Sequence, residues 1–481
     1  MARKLPRWLW IAPLAAYVLY FHGLSMAGLM GPDEPRYAAI SREMAWSGDW
    51  VTPRLWGQPW FEKSPLLYWM SASGFRLGWG PELAPRLPVA LMAVAFLAFY
   101  WWILNREFGC PAATLATWIL GTGAAWVGFG YAAVTDLPLA ATFSAAMLLA
   151  LPWIGRGDRR WLPLAAVLMG FAMLGKYGVA AVLAAPLAIR WRSLGDLFRP
   201  RVVGLFLLVA APWYLLCYAR NGALFAKVAW AHQFGRYTTG ALGHTQPWWY
   251  YVPVLAGLLL PWTPLVGLLA KPNWGDLRRV FLLVWAAFGL IFFSLSINKL
   301  PGYLLPLCPP LAALMGIGLA EAKRARGWLV ACAVLLVVLP VSVPLIPVAL
   351  AEGLRRAPHP AFQWTWLLPV LVAVPVWILD TRGRRVAAAA VIALGATAGS
   401  VYVKLADLPV ADRLASARPL WHAIEGRVSE VCVDRLKDEF VYGLGYYAGY
   451  PLPACSRDPL PIHVTEPPGN PPEVQPQAVA H

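Results

Sequence analysis

The chain has 481 residues, of which 59% are hydrophobic and 13% charged, with a formal net charge of +16. Apolar runs recur along most of its length, which excludes an ordinary water-soluble domain and points to a mainly α-helical, polytopic membrane protein. The basic excess sits in short segments between those runs, so it does not call for a nucleic-acid partner.

A run of about 20 apolar residues crosses the hydrocarbon core. Thirteen spans are predicted: 8–29, 86–105, 111–130, 134–154, 161–175, 177–190, 202–219, 249–268, 279–297, 301–320, 327–350, 364–380 and 386–402. Those at 161–175 and 177–190 are short and could instead form one broken or re-entrant pair. With the N-terminus inside, the inner segments hold twenty of the 40 basic residues against six of the 24 acidic ones. That positive-inside bias predicts a cytoplasmic N-terminus, an exported C-terminus and an odd number of spans. Arg3, Lys4 and Arg7 ahead of an apolar run resemble a signal peptide. We read an uncleaved anchor, because cleavage near Ser25-Met26-Ala27 would remove a span and upset the charge pattern.

Three long stretches lie outside the membrane on the outer face: a first loop at 30–85, a middle loop at 220–248 and a tail at 403–481. The expected organisation is a membrane domain over 1–402, a small α/β domain over 403–458 and a disordered tail over 459–481, where proline and polar residues dominate. Within the tail, Ala406–Gly426 reads as a helix, Val428–Val433 as a strand, and Phe440–Tyr447 as a strand or short helix. Cys110, Cys217, Cys308 and Cys332 fall in or beside spans and read as packing residues. Cys432 and Cys455 lie in the exported tail, where an oxidising compartment permits a disulfide if the two are close enough.

In the first loop, Pro35 to Ser47 reads as a helix, with proline in its first turn and Gly48 as its stop. Tyr37, Ile40 and Met44 share a face, while Arg36, Arg42 and Glu43 lie away from it. This is the pattern of an amphipathic helix on a membrane surface. Asp33 and Glu34 sit at its N-terminus, where the macrodipole favours their ionised forms. A bare helix cap is the competing reading.

Further along, Phe61-Glu62-Lys63-Ser64-Pro65 sets an acid and a base before an apolar stretch on the same face. Lysine there suits a phosphate, or a snorkelling salt bridge. Thr135-Asp136-Leu137-Pro138 puts a third acid at the outer start of a span. In the middle loop, His232 and Arg236 share one helix face at i and i+4, and arginine can fork onto phosphate. Glu62 with His232 is a candidate pair for a divalent metal such as zinc, although two ligands are weak grounds. Trp248-Trp249-Tyr250-Tyr251 reads as an interfacial aromatic belt. Lys299 and Tyr303 recur at the next outer loop, and Lys176 at another. Acids and cations thus meet on one face of a deep apolar body, which suits a lipid-linked phosphate. Lys63, Arg236 and Lys299 would hold the phosphate, and an outer carboxylate would serve as general base toward an acceptor hydroxyl.

The runs Asp33-Glu34-Pro35-Arg36-Tyr37-Ala38, Ser41-Arg42-Glu43-Met44, Ser47 to Pro53 and Phe61 to Trp69 resemble the lipid A aminoarabinose transferases. The chain is similar as well to the wider set of membrane glycosyltransferases that includes protein O-mannosyltransferases. The likeness continues in order through Thr135 to Leu139, Gly175-Lys176, His232 to Tyr237, Pro247 to Tyr251 and Lys299 to Pro306. Ser64 stands where the family usually has a second proline, and the tail is short.

The resemblance implies a GT-C-type fold in a bacterial inner membrane, with interfacial helices in the first loop, a periplasmic active site and a small periplasmic α/β domain. It implies a polyprenyl-phosphate sugar donor, a lipid A or other glycan or lipid acceptor, surrounding membrane lipids, and inversion at the anomeric carbon. By residue, it makes the Asp33-Glu34 pair catalytic, with Asp33 the first choice, and Asp136 a second functional acid. Lys63 becomes a phosphate ligand with Arg36 and Lys299 nearby, and Glu62 a metal-associated acid. His232, Arg236 and Tyr303 match as metal and phosphate contacts. Two other readings are a related transferase moving a hexose or mannose to protein or another glycan, and a transporter of lipid-linked sugars. Transporters carry inverted repeats and midplane charges. Charges gathered at one face favour an enzyme.

Overall fold

A computed structural model describes residues 11–238, 245–270, 275–353, 360–467 and 471–476. The chain opens with α1 (Ile11–Ala16), continued by a π-helical turn, Tyr17–Phe21. The first loop holds α2 (Asp33–Ser47), a hairpin of β1 (Arg54–Leu55) and β2 (Gln58–Pro59), and α3 (Leu66–Arg76). The hairpin turns on Trp56 and Gly57, both at positive φ (53° and 79°), the backbone that a tight two-residue hairpin demands.

The membrane body follows as α4 (Leu83–Phe108), α5 (Cys110–Gly121), α6 (Ala124–Tyr131), α7 (Asp136–Leu149), α8 (Leu151–Arg156), α9 (Leu162–Lys176) and α10 (Val179–Leu183). It continues through α11 (Pro200–Thr238), α12 (Tyr251–Leu258), α13 (Leu277–Leu295), α14 (Cys308–Glu321), α15 (Arg326–Val334), α16 (Val338–Ser342), α17 (Ile346–Glu352), α18 (Ala373–Thr381) and α19 (Arg385–Ala415). Short 3₁₀ runs link several of these, among them Thr263–Ala270 and Pro301–Leu307.

Among the described residues, seven helices are long and apolar enough to cross a bilayer, or up to nine if each of two bent pairs counts as one span. The thirteen expected spans therefore do not map one to one onto long helices. The span expected at 161–175 is the 15-residue α9. Its short partner at 177–190 becomes α10 and a 3₁₀ run that kinks at Arg190. The continuous helix Asp136–Arg156 lies wholly inside the bundle, whereas Pro200–His232 and Trp364–Thr381 are mostly uncovered. Helices apolar all round are either central or lipid-facing, and both kinds occur here. The basic connections gather at one end. Arg156 and Arg278 meet Glu107, Arg159 meets Asp196, and Arg279 meets Glu321.

At the opposite end, α2 starts two residues before its predicted start, at Asp33. It closes on Gly48 (φ 73°), whose N–H bonds the Met44 carbonyl at 3.1 Å. Tyr37, Ile40 and Met44 are buried as a face, as their spacing predicts. That face packs against protein, since α3 and the tail helix α21 (Asp438–Ala448) both lie against α2.

The tail comprises α20 (Arg418–Ile424), β3 (Val431–Asp434), α21, β4 (Ile462–Thr465) and β5 (Glu473–Pro476). In the sheet β3-β4-β5, β3 pairs β4 in parallel and β5 joins antiparallel. No helix break falls at 402–403, because α19 runs through it. The segment from 459 onward, expected to be disordered, supplies β4 and β5. Ile462 and Val464 alternate into a small core with Val431, Phe440 and Leu444, a burial that composition alone does not reveal.

Cys432 and Cys455 are joined as a disulfide with Cα atoms 4.9 Å apart. Replacing Cys455 by serine is expected to loosen the tail by about 2–4 kcal/mol. Limited proteolysis should then cut residues 431–476 faster while the membrane body stays resistant. Unchanged cleavage would show that the sheet does not depend on the bridge.

Candidate active site

Asp33 is the first residue of α2, and its side chain remains 45% exposed. It accepts a hydrogen bond from Arg36 Nη2, one turn further along. The Arg36 guanidinium stands 5.5, 5.4 and 5.2 Å from the ring centres of Tyr37, Trp60 and Tyr442. Its Nη2 also lies 3.4 Å from Glu62 Oε2. Lys63 Nζ in turn donates to Glu62 Oε1 at 2.9 Å. Asp33, Arg36, Glu62 and Lys63 thus form one row of alternating charge, exposed at Asp33 and buried at Glu62 and Lys63.

Burial works against the Arg36 charge, but Glu62, Tyr37 and Asp33 outweigh it and raise its pKa, so it stays a cation. Burial and the neighbouring Glu62 push the Tyr68 hydroxyl well up, so it remains a proton donor. Arg36 Nε, Trp60 Nε1 and the Tyr68 hydroxyl are buried without a hydrogen-bond partner among the described residues. Buried donors are nearly always paired, so this group is built to receive something polar.

A second cluster adjoins the first. Asp136 opens α7 and Lys176 closes α9, and their side chains bond at 2.9 Å. Lys176 Nζ lies 4.5 Å from the centre of the Tyr303 ring. Gly302 makes room for Asp136: a Cβ there would come 2.6 Å from Asp136 Oδ1. Tyr177 carries the chain away from Lys176 at φ 48°, a strained value for a residue with a side chain. Two bonds to the first loop hold it there. The Tyr177 hydroxyl donates to the Phe61 carbonyl at 2.6 Å, and its N–H donates to Ser64 Oγ at 3.1 Å. Serine at position 64 therefore has a local function that proline could not supply. It locks the end of α9 beside Glu62-Lys63.

Glu34 occupies a different setting from its neighbour. It is 4% exposed, and Arg86 clamps both its oxygens at 2.8 and 2.7 Å. The N–H groups of Met30 and Ala133 add bonds of 2.9 and 2.8 Å. Burial raises its pKa, but Arg86 and these hydrogen bonds override that and hold it below the ordinary glutamate range. With its oxygens fully engaged, Glu34 ties the start of α2 to the segment before Asp136.

Lys299 is also buried. Its ammonium is directed at the carbonyls of Ser296 and Gln246, the latter at 3.1 Å, so it shapes its own loop. His232 is half-buried on α11. The Arg236 side chain lies outside the described residues. Glu62, one member of the expected metal pair, faces the cations Arg36 and Lys63. Among the described residues, the one group of three potential ligand side chains is Cys432, Cys455 and His463, where both thiols are taken up in the disulfide.

Sequence reasoning kept Lys176 at the margin and missed Arg86, Tyr68, Trp60 and Tyr442. Arg86 opens an apolar run and could have been flagged as an intramembrane charge in need of a partner. Tyr442, brought from the tail, had no such signal.

Residues 62–215 match the family described as dolichyl-phosphate-mannose-protein mannosyltransferase. An undecaprenyl phosphate-alpha-4-amino-4-deoxy-L-arabinose arabinosyl transferase 2 from Pseudomonas fluorescens is 33% identical over 333 residues, covering 66% of this chain and 57% of that one. A similarly named transferase from Pseudomonas aeruginosa is 33% identical over 66% of this chain and 60% of its own. The chain thus spans about three fifths of the length of these relatives. The crystal structure of ArnT from Cupriavidus metallidurans bound to undecaprenyl phosphate superposes with a TM-score of 0.76 at 25% identity, over 96% of this chain and 94% of that one. In sequence, in fold and in the order of its charged motifs, the chain is thus similar to the undecaprenyl phosphate-aminoarabinose arabinosyl transferases.

Proposed function

We propose that this chain transfers 4-amino-4-deoxy-L-arabinose from an undecaprenyl-phosphate donor to lipid A at the periplasmic face of a bacterial inner membrane. The row Asp33–Arg36–Glu62–Lys63 carries this reading. An exposed carboxylate ends a string of charges that runs inward to buried Glu62 and Lys63, and beside it stand buried donors with no partner among the described residues. The names of the relatives supply the sugar and the carrier lipid. A cytoplasmic N-terminus and periplasmic tail are supported by the basic connections gathered at the far end and by a disulfide in the tail, a bond of oxidising compartments.

In this reading Asp33 takes the proton from the acceptor's attacking oxygen. That oxygen bonds to the anomeric carbon as the bond to the phosphate oxygen breaks, with inversion, and undecaprenyl phosphate leaves with the electron pair. Lys63, Arg36 and Lys176 stabilise the negative charge growing on the leaving phosphate. Asp136 and the Tyr303 ring hold Lys176 in place. Arg236 keeps the phosphate role that the resemblance gives it.

The test is a detergent assay with synthetic donor and purified lipid A, read by mass spectrometry. The expected product is lipid A heavier by one aminoarabinose, with release of undecaprenyl phosphate. Use of a mannosyl donor in preference to the aminoarabinosyl one would replace this reading with that of a related hexose transferase. Sugar crossing sealed vesicles with no new glycosidic bond would make the chain a transporter.

Lys63→Ala removes a charge-assisted contact worth about 1.5–3 kcal/mol, so KM for the donor should rise about tenfold to a hundredfold. Steady-state titration of the donor decides it, and an unchanged KM would take Lys63 out of the phosphate site.

A further inference from the structure

The end of the bundle away from Asp33 holds a cavity of about 570 Å³ between α13, α14, α15 and the 3₁₀ run Thr263–Ala270. Its inner wall is apolar, formed by Leu268, Leu283, Leu314 and Ile317, and Gly318 lies against Leu268, where an added Cβ would come within 3.3 Å. Its mouth is charged. Arg279 and Glu321 are paired through two bonds of 2.6 Å and so cancel each other. Lys323 and Arg324, just past the end of α14, are exposed and leave the mouth with two unbalanced positive charges. Trp328 stands 40% exposed on the rim, the usual station of an interfacial aromatic.

We propose that this cavity binds one anionic phospholipid of the leaflet at that face. One acyl chain lies along Leu268, Leu283, Leu314 and Ile317, and the head-group phosphate lies between Lys323 and Arg324. Charge complementarity selects this occupant. A zwitterionic lipid would fill the apolar wall but leave the two cations unbalanced. Free phosphate would meet the cations but leave the wall empty. Basic pockets between helices at a membrane surface bind anionic head groups in this way, with each Lys or Arg adding to the attraction. The site is separate from the proposed donor site. The 14 residues of α14 place the two roughly 20 Å apart along the helix axis. A lipid seated here bridges α13 and α14 and adds to the stability of the bound form.

The full-length protein, reconstituted in equal phosphatidylglycerol and phosphatidylcholine and released for native mass spectrometry, tests the proposal. Wild type should retain one phosphatidylglycerol with roughly tenfold preference over phosphatidylcholine. K323Q/R324Q should bring that preference close to one. R192Q/R201Q, which removes two exposed cations elsewhere on the same face, should leave it intact. Gly318→Leu should reduce retention of either lipid, because its side chain would crowd Leu268 on the apolar wall. The variants at exposed positions should melt like wild type in lipid-free detergent, so a loss of lipid is not a loss of fold. Equal retention of both lipids by wild type would overturn the proposal. So would an equal effect of R192Q/R201Q, which would make the attraction a property of the whole face, or displacement of the lipid by millimolar inorganic phosphate.

Discussion

Asp33→Asn is expected to lower aminoarabinose transfer by about 10²–10⁴-fold, the range in which a positioned general base contributes. Asparagine keeps the size of the side chain and can still accept from Arg36, so α2 and the aromatic setting of Arg36 should persist. Only the capacity to take a proton is lost. Donor binding should therefore change little while kcat falls, the pattern of an interaction made in the transition state. Glutamate at the same position would lengthen the reach toward the acceptor and should recover part of the rate. Membrane insertion and melting should match wild type. Full turnover by the Asp33→Asn enzyme would move the base elsewhere. Asp136, bonded to Lys176, would be the next acid to examine.

Arg86→Ala should produce the largest loss of stability. The Arg86 side chain is buried near the start of α4. It donates to both Glu34 oxygens and to the carbonyls of Leu24, Ala27 and Gly28, all at 2.7–2.8 Å. Alanine would strand a buried carboxylate and three carbonyls. Breaking a buried pair from one side costs about 3–5 kcal/mol. The paired replacement Glu34→Gln with Arg86→Met should cost less than the sum of the single changes, because it leaves no lone charge. Thermal melts of the purified variants give the comparison, and simple additivity would mean that the two residues do not act as a unit.

The same pair carries a pH dependence. The folded pKa of Glu34 is depressed, so its contribution is complete above the ordinary glutamate range and fades as the pH falls through its lower folded value. Acid should therefore weaken wild type more than the double variant.

The membrane class, the first-loop helix, its stop at Gly48 and the cations along one face could all be read from the chain. Local rules govern them: apolar run length, helix-cap chemistry and the bias of basic connections. The row Asp33–Arg36–Glu62–Lys63 was also close to legible, since its members lie within 31 positions of one another. Local rules failed where meaning depends on a distant partner. Asp33 and Glu34 are adjacent and chemically alike, yet one is exposed and the other buried, because α2 turns Glu34 toward Arg86 and Ala133. Lys299 and Lys63 look equivalent as outer-loop cations. Burial directs the first to carbonyls and the second to a carboxylate beside Arg36.

Composition marked the end of the tail as disordered, but strand pairing supplied the order it lacked. Tyr442 reaches Arg36 from more than 400 residues away, through packing of α21 on α2. Which chemical groups the protein carries, and on which face they lie, was already set by the order of residues, because charge and apolar length answer to the bilayer one segment at a time. Which acid stays exposed and which cations meet was settled by helix packing, because a side chain's solvation depends on neighbours from other helices.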